Sequence, residues 1–163
     1  MRRSSIRLRA PRSGDMGWVV QNHGALYAAE FGYDARFEAL VAEIVARFVR
    51  DFYPRFERCW IARRGERNVG SAFLVRQSRG VAKLRLLIVT PDARGNGLGR
   101  RLVNACLRFA RERGYRKVVL WTQSELDAAR HIYRKAGFRR VRTMRHASFG
   151  KPLVGEYWEL ALR

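Results

Sequence analysis

The apolar run Leu86–Val89 leads into Arg94-Gly95-Asn96-Gly97-Leu98-Gly99. From Leu98 onward, Leu102, Ala105, Cys106 and Phe109 recur at helical spacing. A strand passing through a glycine-rich turn into a helix constrains this chain more than any other stretch. Glycine lets the main chain come close to an anion without a Cβ in the way, and the amides of the first helical turn have no partner within the helix. Together they make a concave set of N–H donors suited to a phosphate or diphosphate. Three familiar phosphate loops fail on spacing. Counted from Gly95 and Gly97, the third small residue of a dinucleotide fingerprint falls on Arg100. Arg100-Arg101 also stands where a Walker loop needs Gly-Lys-Ser/Thr. A kinase loop is followed by a strand, whereas this one opens a helix.

The remaining pattern, Arg-x-x-Gly-x-Gly at a helix start, is joined downstream by Ala128-Ala129-Arg130-His131-Ile132-Tyr133-Arg134-Lys135-Ala136-Gly137-Phe138. Together they resemble the two signatures of the GNAT superfamily of acetyl-CoA-dependent N-acyltransferases. The order of elements from Ile6 to Leu162 fits that family over nearly the whole chain. The resemblance implies a mixed, mostly antiparallel sheet flanked by about four helices, formed by residues 1–163 as one N-acetyltransferase domain. Gly14–Val20 and Ser148-Phe149-Gly150 are further similar to the acyltransferase module that some bacterial regulators carry behind a winged-helix DNA-binding domain. No winged-helix segment is present in this sequence, so a regulatory role is expected to need another protein.

A chain of 163 residues can bury a real core as one domain. The basic N-terminus lacks the apolar stretch of a signal peptide, and no apolar run reaches membrane-spanning length. Cys59 and Cys106 lie far apart in apolar patterns and read as reduced core residues, the usage of a cytoplasmic protein. His23, His131 and His146 show no metal-ligand spacing, so no metal is expected. The formal net charge of +20 admits a nucleic-acid-associated protein as an alternative. The basic residues are nearly all Arg and scattered rather than gathered in one arm, which argues against it, and a basic surface also suits the phosphates of coenzyme A.

Along the chain, Ile6–Arg9 alternates as an edge strand and Gly17–Phe31 carries a helical pattern closed by Gly32. Phe37, Leu40, Val41, Ile44, Val45, Phe48 and Phe52 line one face of a second helix stopped by Pro54. Strands follow at 58–63, 69–77 and 81–89, the first two joined by a Gly65-Glu66-Arg67-Asn68 turn. The helix 98–113 ends at Gly114, and Lys117–Trp121 is a short buried strand. Ser124-x-x-Asp127 can cap the helix bearing Tyr133, and 138–146 and 154–162 form the last strands.

The resemblance assigns the coenzyme to Arg94, Gly95, Asn96, Gly97, Leu98, Gly99 and Arg100, chiefly through their backbone amides. It gives the pantetheine arm to the backbone of Leu87, Ile88 and Val89, as an added strand would bind, and adds Ala129 and Tyr133. The Val89 N–H is expected to hold the thioester oxygen, and the Tyr133 phenol to protonate the departing sulfur. By spacing alone Tyr133 equally fits a core aromatic beside Ile132 and Ala136. Many family members have a coenzyme-contacting Asn where this chain has Leu126, so either Ser124 or Asp127 substitutes or the contact is absent. The general base is poorly marked, with Glu30, Glu156 and His23 as candidates. No Cys has a base pattern that suggests an acyl-enzyme. The expected reaction is therefore direct transfer of an acetyl group to a primary amine in a ternary complex. A non-catalytic acyl-CoA sensor is a further alternative, and by resemblance the protein can form a homodimer through its C-terminal strands.

Overall fold

The computed structural model describes residues 5–163. The described elements run β1 (Ile6–Arg9), α1 (Asp15–Phe31), α2 (Ala35–Arg50), β2 (Arg58–Arg64), β3 (Arg67–Ser78), β4 (Val81–Val89), α3 (Leu98–Glu112), β5 (Lys117–Gln123), α4 (Asp127–Ala136), β6 (Arg139–His146) and β7 (Leu153–Ala161). The strands form a seven-stranded sheet in the order β1-β2-β3-β4-β5-β7-β6. Its pairs are antiparallel except β4 with β5, which is parallel. This is the expected mixed, mostly antiparallel sheet flanked by helices.

The period of two along β2 and β3 sends alternate residues to opposite faces, and each face has its own helices. Ile61 and Phe73 pack with Val41, Val45 and Phe48 of α2 and Val19 of α1. Ala62, Ala72 and Leu74 pack instead with Leu102, Val103, Cys106 and Phe109 of α3. Burying each large apolar side chain stabilises by roughly 1.5–3 kcal/mol, so the central strands are fixed from both sides. Cys59 and Cys106 are free, buried and on different faces. Asp15 ties β1 to α1 and β3: it accepts from Arg9 at 2.7 Å, from the Arg12 N–H at 2.6 Å and from the Asn68 amide at 2.9 Å. Burial alone would raise its carboxyl, but these hydrogen bonds hold it down to about 2.

Several local expectations are corrected. The β2–β3 turn is only Gly65-Glu66; Arg67 and Asn68 already pair with Arg64 and Arg63, and Gly65 has φ 59°. A two-residue turn with positive φ suits the right-handed twist of a hairpin. Phe52 lies beyond the end of α2 and is 45% exposed, because the helix stops at Arg50, before the Pro54 break. Ser124 does not cap α4: its N–H bonds to the Val154 carbonyl, extending the β5–β7 ladder, and Leu126 is the N-cap residue with no side-chain hydrogen bond. Accordingly β5 runs on to Gln123, past the expected end at Trp121.

Candidate active site

The site begins as a failure of strand pairing. β4 and β5 pair only where Val81–Lys83 faces Lys117–Val119, although β4 runs on to Val89 and β5 to Gln123. Beyond Lys83 the two parallel strands part. A bulge in β4 coincides with the parting: Arg85 faces Phe73 and Ile88 faces Ser71, so Leu86 and Leu87 together oppose Ala72. Leu86 takes the left-handed conformation at φ 53°, which costs an L-residue roughly 1–2 kcal/mol. The Ser71 hydroxyl, donating to the Leu86 carbonyl at 2.9 Å, and the packing of Leu86 under α2 hold it there.

Past the bulge the ladder with β3 resumes. The Thr90 N–H donates to the Val69 carbonyl at 2.9 Å, and Gly70 faces Val89. Hydrogen-bonded and non-hydrogen-bonded pairs alternate in an antiparallel ladder, so Val89 turns its own N–H and C=O away from β3, toward the gap. Gly70 permits the close approach here, since a Cβ would lie 2.9 Å from the Ile88 carbonyl oxygen.

The loop after β4 closes the mouth of the gap. Pro91–Ala93 forms a single 3-10 turn, and Gly95 and Gly97 take φ of 82° and 74°. Gly97 is the N-cap of α3, and the first intrahelical bond runs from the Arg101 N–H to the Gly97 carbonyl at 3.0 Å. The amides of Leu98, Gly99 and Arg100 precede any intrahelical acceptor. The first turn of α3 has no acidic residue and the cap no side-chain hydrogen bond, so nothing internal neutralises this positive helix end. Arg94 stands beside it, donating to Glu30 at 2.7 Å and to the Val89 carbonyl at 3.3 Å.

Two cavities meet between the splayed strands. The larger, about 360 Å³, is walled by the α3 start, the end of β4, α1 and the first turns of α4. Leu87, Ile88, Val89, Arg94, Gly95, Gly97, Leu98, Gly99, Arg100, Ala129 and Glu30 all line it. Asn96 and Ser124 are not on its wall. The smaller, about 180 Å³, lies under α2 and carries Tyr133 and His23. Tyr27, Leu87, Leu126 and Ala129 border both, so the two spaces adjoin. Leu126, where the resemblance marked a missing Asn, stands between them.

The candidate proton-transfer groups separate by environment. Tyr133 is 6% exposed, and burial pushes its phenol above the ordinary range, so it stays protonated at neutral pH. His23 is 2% exposed; its Nδ1–H donates to the Val19 carbonyl at 2.7 Å. Its Nε2 is then a bare acceptor and has no partner among the described residues. Burial lowers its pKa to about 4, so the ring is neutral at pH 7. Glu156 lines neither cavity: its carboxylate accepts from Arg130, Arg140 and the Trp158 indole, and is 1% exposed. Glu30 is already engaged by Arg94. Lys83 and Arg85 also line the smaller cavity, and sequence reasoning missed both. Their signal was visible as two cations at alternate positions of the otherwise apolar strand Val81–Val89. Among the described residues no cluster of His, Cys, Asp and Glu suits a metal, and no helix is long and apolar enough to cross a membrane.

Comparison with known proteins agrees with this geometry. The Acetyltransferase (GNAT) family matches residues 23–138. A mycothiol acetyltransferase of Cellulomonas flavigena is 41% identical over 75 residues, 46% of this chain and 21% of that protein. An uncharacterised N-acetyltransferase of Methanocaldococcus jannaschii is 39% identical over 62 residues, 38% of this chain and 27% of that one. The chain thus aligns with about a fifth to a quarter of the curated relatives' length. In fold it is similar to an N-acetyltransferase of Staphylococcus aureus, with TM-score 0.79, 17% identity and coverage of 98% and 100% of the two chains. A Salmonella typhimurium protein described as an acetyltransferase with its cofactor acetyl-CoA gives TM-score 0.73 at 20% identity, with coverage of 97% and 94%. With the family matched over residues 23–138, this chain belongs to the Acetyltransferase (GNAT) family.

Proposed function

We propose that the protein transfers an acetyl group from acetyl-CoA to a primary amine by direct attack within a ternary complex. The observation that carries this reading is the gap between β4 and β5, with the uncapped, acid-free N-terminus of α3 at its mouth. The chemistry of the donors fits the coenzyme. The amides from Leu98 to Arg100 suit a diphosphate, and the outward N–H and C=O of Val89 suit an amide-rich arm lying beside β4. Acetyl-CoA supplies an activated acyl group, a thioester.

The chain's own residues orient and stabilise. Val89 N–H holds the thioester oxygen as negative charge grows on it, in a gap that excludes bulk water. The amine enters through the smaller cavity, where the His23 Nε2 lone pair accepts one of its N–H bonds and aims the nitrogen. As the C–N bond forms and the C–S bond breaks, the Tyr133 phenol gives its proton to sulfur. An ammonium becoming a secondary amide loses two protons; one replaces that of Tyr133 and the other leaves to solvent. Positioning supplies much of the acceleration. Glu30 acts on this reading through Arg94, holding the guanidinium at the coenzyme side.

The test is thiol release from acetyl-CoA over a panel of primary amines, with calorimetric affinity for acetyl-CoA measured in parallel. Turnover is expected, and Tyr133→Phe lowers kcat at least tenfold while leaving coenzyme affinity within twofold. Coenzyme binding without turnover of any amine points instead to a sensor. Absent coenzyme binding, together with RNA binding that persists near physiological salt, points to a nucleic-acid-associated protein.

A further inference from the structure

The smaller cavity selects its occupant by charge. Lys83 and Arg85 sit at i and i+2 on β4 opposite Val75 and Phe73, which face α1 and α2, so both basic side chains lie on that face. Positions two apart on a strand are roughly 6.5–7 Å apart along the chain, a span that one carboxylate or phosphate bridges. Neither cation has an ion-pair partner among the described residues, whereas ten other Lys and Arg residues do. No Asp or Glu lines the cavity.

The rest of the wall is aromatic and aliphatic. Tyr27, Tyr33, Phe37 and Phe149 form a packed group, with ring centroids 4.6–5.5 Å apart for the close pairs. Three polar atoms in this wall are buried without a hydrogen-bond partner among the described residues, His23 Nε2, the Tyr33 hydroxyl and Trp121 Nε1. A buried polar atom left unpaired destabilises the fold, so each is a place where an occupant contributes binding. Burial and the neighbouring Arg85 lower the Lys83 pKa; burial and Arg47 lower that of Arg85. An anion relieves both penalties.

Resting on the acetyltransferase reading, we propose that the acceptor is a small amine that also bears an acid group, held between Lys83 and Arg85 with its apolar part against the aromatic wall. A plain cationic amine meets two uncompensated positive charges in a partly desolvated space and is rejected. The acid group thus anchors the acceptor and offsets the two positive charges of the wall.

The experiment compares matched probes by acetyl-CoA-dependent thiol release. These are L-phenylalanine against 2-phenylethylamine, L-leucine against 3-methylbutylamine, and O-phosphoethanolamine against ethanolamine. At least one acid-bearing member is expected to exceed its neutralised partner by tenfold or more in kcat/KM. The amino-acid pairs report a carboxylate site and the last pair a phosphate site. Lys83→Gln and Arg85→Gln should each raise KM for the preferred probe at least tenfold with little change in kcat, and Lys83→Arg should restore it. Acetyl-CoA affinity stays within twofold in every variant. Preference for the acid-free partner in every pair overturns the inference. So does turnover of neither member while acetyl-CoA still binds. Loss of acetyl-CoA binding in the unaltered protein instead overturns the acetyltransferase reading beneath it.

Discussion

Glu156→Gln separates a structural carboxylate from a catalytic one. In the fold Glu156 is 1% exposed and carries four hydrogen bonds. Arg130 reaches both of its oxygens, at 2.9 and 3.4 Å, Arg140 reaches one at 3.2 Å, and the Trp158 indole completes the set at 3.1 Å. A glutamine keeps the shape but presents an NH2 where one oxygen accepted, so donors face donors and two guanidinium groups lose their counter-charge. Removing one member of a buried pair costs about 3–5 kcal/mol. Arg140 is 50% exposed and Arg130 also meets Asp127 at 3.5 Å, so water and Asp127 recover part of this. The expected loss is about 2–4 kcal/mol, a large share of the roughly 5–15 kcal/mol that holds a domain of this size. Urea denaturation at pH 7 reads it as a lowered midpoint with an unchanged slope. Turnover per folded molecule should stay within twofold, because Glu156 lines neither cavity. A loss below 1 kcal/mol, or turnover that collapses while stability holds, would refute this reasoning.

Three further outcomes follow from other parts of the structure. His23 has a pKa lowered from 6.5 to about 4 by burial, so the unfolded chain takes up its proton first as pH falls. The stability tied to the neutral ring is full above pH 6.5 and declines toward pH 4, by about 3 kcal/mol in all. Urea curves across that window should show this slope in the parent and a flatter one in His23→Leu. Gly70→Ala drives a Cβ to 2.9 Å from a backbone oxygen that cannot swing aside, and should cost about 1–3 kcal/mol by denaturation and weaken acetyl-CoA binding by shifting Val89. Arg100→Glu puts the first acid into the opening turn of α3. Thermal denaturation should show a small gain, about 0.3–1 kcal/mol from the helix dipole, while calorimetry shows acetyl-CoA affinity falling tenfold or more. Effects of the same sign would contradict an anion site there.

The order of elements along the chain and the glycine turn were legible because they rest on local patterns. β4 matches its expected bounds at Val81–Val89, and Gly32, Gly114 and Gly137 close their helices with φ of 72°, 80° and 103°. The bulge was not legible. Leu86 takes a conformation that usually marks glycine, and it is held by Ser71 from another strand and by packing under α2. Ser124-x-x-Asp127 fits a capping pattern, yet the Ser124 amide is taken by β7, a partner thirty residues away in sequence. The nearness of Arg94 to Glu30, and the two adjoining cavities, arise from α1 folding back over β4. No local spacing encodes that. The cavity that Lys83 and Arg85 line is likewise formed by α2 covering their face of β4.

The account depends most on where acetyl-CoA settles, and a crystal structure of the complex measures that directly. The diphosphate is expected within hydrogen-bonding distance of the amides from Gly97 to Arg100, with the arm alongside Val89 and the acetyl group turned toward Tyr133. Density for the coenzyme elsewhere on the basic surface, with the gap between β4 and β5 empty of it, would contradict the account.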